Sequence, residues 1–357
     1  MNIEQHTISK SDTVRHALER LNKLSGGPMT LFAIDAEGRV AGSLTDGDIR
    51  RALIAGRSMD DSLENVAHTQ FRYLSAEIPD VAEIRTCRNL GLRLLPVVDN
   101  GMRLVDIIDL SERHTQLPMD AILMAGGKGE RLRPLTLDTP KPLLEIEGKA
   151  IIDYNIESLS ACGIKRITVA TGYLAHMIEE HFAEKTNGPK VRCVREEKPL
   201  GTIGAVSLAD IPENGLTLVM NSDLLTTISF EDMYLHHLSS GADITIAVIP
   251  YQVSVPYAIL TIDTQNPDLH KVAGIEEKPS FSFYANAGIY IFSNDILRNV
   301  PPGRRVDATD LISEAIASGR RTTYFPIKGT WIDIGSPVDF RQAAELMKHH
   351  RSMSAEN

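Results

Sequence analysis

Two hydrophobic rhythms divide this chain. Up to residue 117, a short apolar run, a turn and a second apolar run occur twice. The copies are Leu31-Phe-Ala-Ile-Asp-Ala-Glu-Gly-Arg-Val-Ala-Gly-Ser-Leu-Thr-Asp46 and Leu95-Pro-Val-Val-Asp-Asn-Gly-Met-Arg-Leu-Val-Asp-Ile-Ile-Asp-Leu110. In each, a strand ends at an Asp and a Gly-containing turn folds a second strand back as a hairpin. Apolar residues at helical spacing precede both, Val14, Leu18 and Leu21 in one case and Val81 and Ile84 in the other. From Met119 onward the rhythm changes. Strand-like runs at Asp120–Met124, Arg166–Thr171, Lys190–Val194 and Leu216–Met220 alternate with helical stretches around 151–162, 174–185 and 202–210. Such alternation predicts an α/β domain with a Rossmann-like, mostly parallel sheet. The runs Ile244–Ile249, Ala258–Ile262 and Ala287–Phe292 lie closer together and predict a more mixed region. Ligands of such sheets bind at the carboxyl ends of the strands.

A length of 357 residues exceeds one small core and fits two units. We place their boundary at 117/118, where Gln116-Leu-Pro118 interrupts the pattern. Lys and Arg number 37 against 47 Asp and Glu, a net charge of −10. That acidity argues against nucleic acid as a partner but leaves room for a local anion site. No apolar run reaches the roughly 20 residues that span a bilayer, and the first residues show no signal-peptide pattern. Three dispersed cysteines make neither a disulfide framework nor a CxxC metal site. A cytoplasmic protein without membrane contact is the expectation.

The first strand of the second part runs into Ala125-Gly-Gly-Lys-Gly-Glu-Arg-Leu-Arg-Pro-Leu-Thr136, followed by Thr139-Pro-Lys-Pro-Leu143. Glycines after a strand let backbone N–H groups approach phosphate oxygens without an intervening Cβ. A dinucleotide fingerprint would need glycine at Leu132, and a P-loop would need Gly-Lys-Ser/Thr, so neither is present. Glu147 lies about 20 residues beyond the loop, where a dinucleotide fold places an acidic ribose ligand; Glu145-Ile-Glu-Gly-Lys149 reads instead as a polar hairpin. What remains is a glycine loop with the cations Lys128, Arg131 and Lys141, suited to a triphosphate.

The whole string resembles the signature of the sugar-1-phosphate nucleotidyltransferases, and the resemblance continues in order across about 119–340. Arg195-Glu-Glu-Lys-Pro-Leu-Gly-Thr-Ile-Gly-Ala205 is similar to the family's nucleotide-base segment. Asn221-Ser-Asp223 and Trp331-Ile-Asp-Ile-Gly335 are similar to its two metal-carboxylate segments. Glu276-Glu-Lys-Pro279 and Asn286-Ala-Gly-Ile-Tyr290 are similar to its sugar and sugar-phosphate contacts. The resemblance implies in-line attack of a sugar 1-phosphate on the α-phosphorus of a nucleoside triphosphate, releasing pyrophosphate. It implies Mg²⁺ at Asp223 and Asp333, and Arg131 and Lys141 as the catalytic cations. Ala125, Gly126, Gly127, Gly129, Glu196, Gly201 and Thr202 would bind the nucleotide, and Glu277, Lys278 and Asn286 the sugar phosphate.

Pyrimidine-using relatives usually carry Gln where Glu196 falls. A carboxylate only accepts, and guanine presents two neighbouring donors that it can bridge. GTP is therefore the expected nucleotide, with Glu197 the alternative reader one residue away and UTP, dTTP or CTP the alternative substrates. The first part resembles a tandem pair of cystathionine-β-synthase-type (CBS) repeats. Such repeats before this transferase resemble the glucosamine-1-phosphate guanylyltransferases of bacterial nonulosonic (legionaminic) acid pathways, so glucosamine 1-phosphate is the favoured sugar. CBS pairs imply a homodimer and a purine nucleotide held by Thr45 and Asp48. The second-copy positions, Asp109 and Glu112, depart from that pattern. A non-catalytic sensor of sugar nucleotides is the reading from another class.

Overall fold

The computed structural model describes residues 2–77, 80–111, 115–184, 189–264 and 270–355, with side chains as far as Lys348 in the last segment. The chain divides into two compact units, Met1–Asp120 with Ile156–Arg166, and Ala121–Asn155 with Ile167–Asn357. The first break lies close to the expected 117/118. The addition of 156–166 was not foreseen from the sequence. In this segment Cys162 accepts from the Leu117 N–H at 2.9 Å, and Arg166 pairs with Asp120 through both guanidinium and carboxylate forks.

Within the first unit the repeat is explicit. Thr7–Ser9, Val14–Lys23, Thr30–Ile34 and Val40–Thr45 form a strand, a helix and a hairpin. Leu74–Ser75, Val81–Asn89, Leu94–Val98 and Leu104–Asp109 repeat that order. Each copy makes a three-stranded sheet whose first pair is parallel and second antiparallel, with one irregularity at the same place, Ala33/Ile34 and Val97/Val98. The turn chemistry repeats as well. Asp35 accepts from the N–H groups of Glu37 and Arg39, and Asp99 from those of Gly101 and Arg103, at 2.8–3.0 Å. Short Asp side chains that fold back on their own turn favour these hairpins.

Thr45 and Asp48, expected at a nucleotide, cap the helix Asp46–Ile54. Asp48 accepts from the Thr45 N–H (2.8 Å) and hydroxyl (2.6 Å), and its own N–H donates to Thr45 Oγ1 at 3.3 Å. This reciprocal capping box satisfies helix N–H groups that have no partner within the helix. Burial pushes the Asp48 carboxyl up, but Thr45 and Arg51 overcome it and hold the group below the usual carboxylate range. Asp109 accepts from the Ser111 N–H and hydroxyl, and Glu112 lies outside the described residues.

The second unit is built on a seven-stranded sheet. Its order is Val191–Arg195, Ile167–Thr171, Met119–Ala125, Leu216–Asn221, Ser280–Ser293, Ile244–Ser254 and Thr322–Pro326. The first three run parallel, as do the last two, and Ser280–Ser293 is antiparallel to both its neighbours. The sheet is thus mixed and mostly parallel. Ile122, Val219, Ile244 and Phe292, from four of the strands, share a core with Leu297 and Ile312 of the helices Asn294–Arg298 and Ala308–Ala317. The stretch around 202–210 is a short 3₁₀ helix, Gly204–Leu208, and not the expected longer helix. The N–H groups of Ile203 and Gly204 both donate to the Val306 carbonyl, which turns the entry away from α geometry. Glu145–Ile146 and Lys149–Ala150 form the polar hairpin expected there, with Glu147 and Gly148 both at positive φ.

Candidate active site

The chain leaves Met119–Ala125 toward one side of the sheet for its next two strands and toward the other for Leu216–Asn221. At the carboxyl ends around that switch point lies a cleft of about 760 Å³. Its walls include Met124–Leu132, Lys141, Glu196, Gly201, Thr202, Asn221–Asp223, Arg305 and Gly335. The glycine loop, the base segment and the first carboxylate segment therefore meet in one place.

Gly126 and Glu196 are fitted to one another. A Cβ on Gly126 would stand 1.8 Å from Glu196 Oε1, so any side chain there expels the carboxylate. Glu196 is fixed at its other oxygen, which accepts from the Leu200 N–H at 3.0 Å, and its own N–H donates to the Thr171 carbonyl at 2.8 Å. Burial pushes its carboxyl up, opposed by that Leu200 N–H. Glu197 is exposed and does not line the cleft. Gly129 has φ +61°, opens the turn Glu130–Leu132, and packs against Thr136 and Lys141, where a Cβ would approach to 3.0–3.2 Å.

Asp223 and Asp333 converge because their strands pair. Leu224–Thr226 and Trp331–Asp333 form an antiparallel ladder with Leu224 opposite Asp333, and the Ile334 N–H donates to the Asp223 carbonyl at 3.2 Å. The turn carrying Asp223 is locked from below. Ser222 donates through its N–H and its hydroxyl to the Met124 carbonyl, and Asn155 Nδ2 donates to the Ser222 carbonyl at 3.2 Å. Lys141 is nearly buried and pairs with Asp223, while its ammonium lies 3.6 Å from Asp333 Oδ1. Burial, then the Asp223 charge, push the Asp333 carboxyl up against the pull of Lys141 and Arg131.

The carboxylate pair suits a divalent cation on two grounds. Asp223 Oδ1 is buried without a hydrogen-bond partner among the described residues, while Lys141 pairs with the other oxygen of the same carboxylate. Two carboxylate oxygens are also the hard ligands, in the small number, that Mg²⁺ takes when phosphates and water supply the rest. Among the described residues no set of three or more Asp, Glu, His or Cys forms a cage of its own.

A family model for nucleotidyl transferases matches residues 120–350, and a CBS-domain model matches residues 1–55. The chain belongs to the nucleotidyl transferase family. It is 33% identical over 228 residues to the mannose-1-phosphate guanylyltransferase catalytic subunit beta of Dictyostelium discoideum, covering 62% of each protein. It is 32% identical over 237 residues to the mannose-1-phosphate guanylyltransferase of Mycobacterium tuberculosis, covering 64% of this chain and 65% of that one. The matched part thus spans under two thirds of these relatives. A Bacillus anthracis structure solved with sucrose, provisionally named a glucose-1-phosphate thymidylyltransferase, aligns with TM-score 0.51 at 25% identity. That alignment covers 64% of this chain and 94% of the other.

This nucleotidyl transferase places the remaining expected residues differently. Ala125, Gly127 and Arg131 line the cleft, and the Arg131 guanidinium stands 3.1 Å from where a Gly335 Cβ would be. Gly201 and Thr202 line it too, but Thr202 is committed to the fold. Its N–H donates to Asp307 Oδ1 and its hydroxyl accepts from the Ala308 N–H, capping the helix Ala308–Ala317. Glu277 and Lys278 are exposed and outside the cleft lining, with Lys278 at φ +45°. Asn286 is also outside the lining. It accepts from the Gly288 N–H at 2.9 Å, and Gly288 in turn lies against Asn221 of the wall. Sequence reasoning missed Asn155, Ser222 and Arg305. Asn155 sits on a helix far from any motif, and Arg305 belongs to a Gly-Arg-Arg turn that reads as surface.

Proposed function

We propose that this chain transfers a guanylyl group from GTP to a hexose 1-phosphate, giving a GDP-sugar and pyrophosphate. The observation that carries the nucleotide is Glu196, a carboxylate locked between glycine and the Leu200 N–H at the wall of the cleft. Its acceptor-only character matches the N1–H and 2-amino donors of guanine. The names of the mannose-1-phosphate guanylyltransferase relatives support the same nucleotide.

In this reading the glycine loop Ala125–Gly129 approaches the triphosphate with backbone N–H groups, while Arg131, Lys128 and Lys141 offset its charge. A phosphate oxygen of the sugar 1-phosphate attacks the α-phosphorus, a new P–O bond forms, and the bond to pyrophosphate breaks in line. The attacking oxygen is already ionised, so no general base is required. Charge stabilisation and positioning supply the rate. Asp223 and Asp333 would hold Mg²⁺, which when bound supplies positive charge against the phosphates. Lys141, set between these carboxylates, keeps them together before substrates arrive. Lys278, Glu277 and Asn286 would reach the sugar phosphate from the Ser280–Ser293 side of the site.

Domain order favours glucosamine 1-phosphate as the acceptor. Mannose 1-phosphate is the second reading, favoured by the names of the relatives. The CBS pair belongs to a homodimer in this account, and a purine nucleotide there would have to compete with the capping box of Thr45 and Asp48.

Glu196→Gln tests the nucleotide assignment. A Gln amide leaves one guanine donor facing another donor, and a site that loses such a pairing discriminates by about 100-fold or more. The ratio of kcat/KM for GTP over UTP should fall by about that factor. An unchanged ratio in a folded, active variant would remove Glu196 from base recognition.

A further inference from the structure

Asp223, the proposed metal carboxylate, stands in a turn whose successive peptide planes are each held from outside the turn. The Ser222 N–H, in the plane joining Asn221 to Ser222, donates to the Met124 carbonyl at 3.1 Å. The Ser222 carbonyl, in the plane joining Ser222 to Asp223, accepts from Asn155 Nδ2 at 3.2 Å. The Asp223 carbonyl, in the plane joining Asp223 to Leu224, accepts from the Ile334 N–H at 3.2 Å. The last two planes flank the Asp223 Cα. A peptide unit is planar and turns only about φ and ψ, so holding both planes sets the direction in which the Asp223 side chain leaves the backbone. The bonds from Ser222 to Met124 and from Ile334 to Asp223 join backbone to backbone and form with any side chains. The bond on the plane entering Asp223 comes from a side chain, that of Asn155.

Asn155 lies on the helix Ile151–Ala161 and is 4% exposed. Ile151, Ile152, Ile156 and Leu159 of the same helix are buried aliphatics. A leucine would suit such surroundings, whereas a buried amide costs stability unless its polar atoms are paired. The neighbours of Nδ2, the Ile151 carbonyl at 3.4 Å and the Ser222 carbonyl, are both acceptors. The position therefore takes a donor, and leucine there would strip the Ser222 carbonyl, on a buried residue, of this partner. On its other side the turn is closed by Gly288, where a Cβ would stand 2.6 Å from Asn221 Nδ2. Direction matters more to a divalent ion than to an ammonium. Mg²⁺ demands near-ideal octahedral geometry at about 2.0–2.1 Å, while Lys141, paired with the same carboxylate, is a point charge on a flexible stem. A misdirected Asp223 would keep Lys141 and lose the metal.

We propose that Asn155 is a positioning residue for the metal site: through the Ser222 carbonyl, its amide aims the Asp223 carboxylate at the point it shares with Asp333. The proposal rests on the reading of Asp223 and Asp333 as Mg²⁺ ligands, and it concerns a residue outside the cleft lining.

Calorimetric titration of the full chain with GTP, in Mg²⁺ and again in EDTA, reads the metal's contribution without turnover, since no sugar phosphate is present. The ratio of the two dissociation constants measures how far Mg²⁺ strengthens nucleotide binding. Asn155→Leu should lower that ratio by about 10- to 100-fold, the usual cost of losing the partner behind a metal ligand. Its dissociation constant in EDTA should match wild type, whereas a merely structural role would weaken GTP in both buffers alike. Asn155→Ser, whose shorter hydroxyl does not reach the Ser222 carbonyl, should show the same loss and covers the case in which the leucine variant does not fold. Asp223→Asn separates the two claims. If it abolishes the Mg²⁺ gain while a folded Asn155 variant keeps it, or weakens equally in both buffers, Asn155 does not position the site. If Asp223→Asn keeps the wild-type ratio, or wild type gains nothing from Mg²⁺, the metal reading falls and the proposal falls with it.

Discussion

At the scale of single residues, the site depends on side chains that the fold holds too closely to adjust. The 1.8 Å clearance between a Gly126 Cβ and Glu196 leaves no room for alanine. The orphaned Asp223 Oδ1 and the Lys141 pairing make Asp223, the proposed metal carboxylate, the most exacting of these positions. Asp223→Asn keeps the volume and removes the charge, so Mg²⁺-dependent turnover should fall by at least about 1,000-fold while the fold persists. Near-normal turnover at saturating Mg²⁺ would end the metal assignment. Much of this was legible in advance, because a glycine loop, a Glu-Glu-Lys-Pro-Leu-Gly-Thr string and two Asp-bearing strand ends announce themselves by residue type. The choice of Glu196 over Glu197 was left open by the sequence. In the structure Glu196 lines the cleft and Glu197 does not, since neighbouring residues at the strand end point to opposite sides.

Among the elements, the strands were read more easily than the helices. The runs from Met119 to Asn221 are continuous and β-branched, and the structure places strands within a residue or so of each expected bound. The helix Phe230–Ser240 was not drawn from the pattern, because Glu231 and His237, both buried, hide its apolar face. His237 donates to or accepts from Thr245 at 2.7 Å, and burial pushes its imidazole down to about 4, with Asp243 opposing. It is therefore neutral in the fold at pH 7. As pH falls below about 6.5 the unfolded chain binds a proton that the folded one excludes, so stability declines toward pH 4. Between pH 7.5 and 5.0 the linked loss is about 2 kcal/mol. Urea denaturation of His237→Gln should show a correspondingly shallower decline than wild type, and parallel declines would contradict the assignment.

For the whole molecule, the sequence indicated two units and a transferase, and the family comparison makes the second unit a nucleotidyl transferase. The repeat in the first unit was visible through its Asp-Gly turns, and the Thr45/Asp48 pair, read from the sequence as a nucleotide contact, also caps a helix. The length of the pair Ile244–Ser254 and Ser280–Ser293 escaped the sequence reading, because exposed strands carry the same apolar alternation as half-buried ones. The central claim is the reaction itself. It is tested most directly by pyrophosphate release with Mg²⁺ across GTP, UTP, dTTP and CTP, each paired with glucosamine, mannose and glucose 1-phosphates. The account predicts release with GTP and a hexose 1-phosphate, and at most traces with the pyrimidine nucleotides. Release led by a pyrimidine nucleotide, or none in any pairing from folded protein, would contradict it.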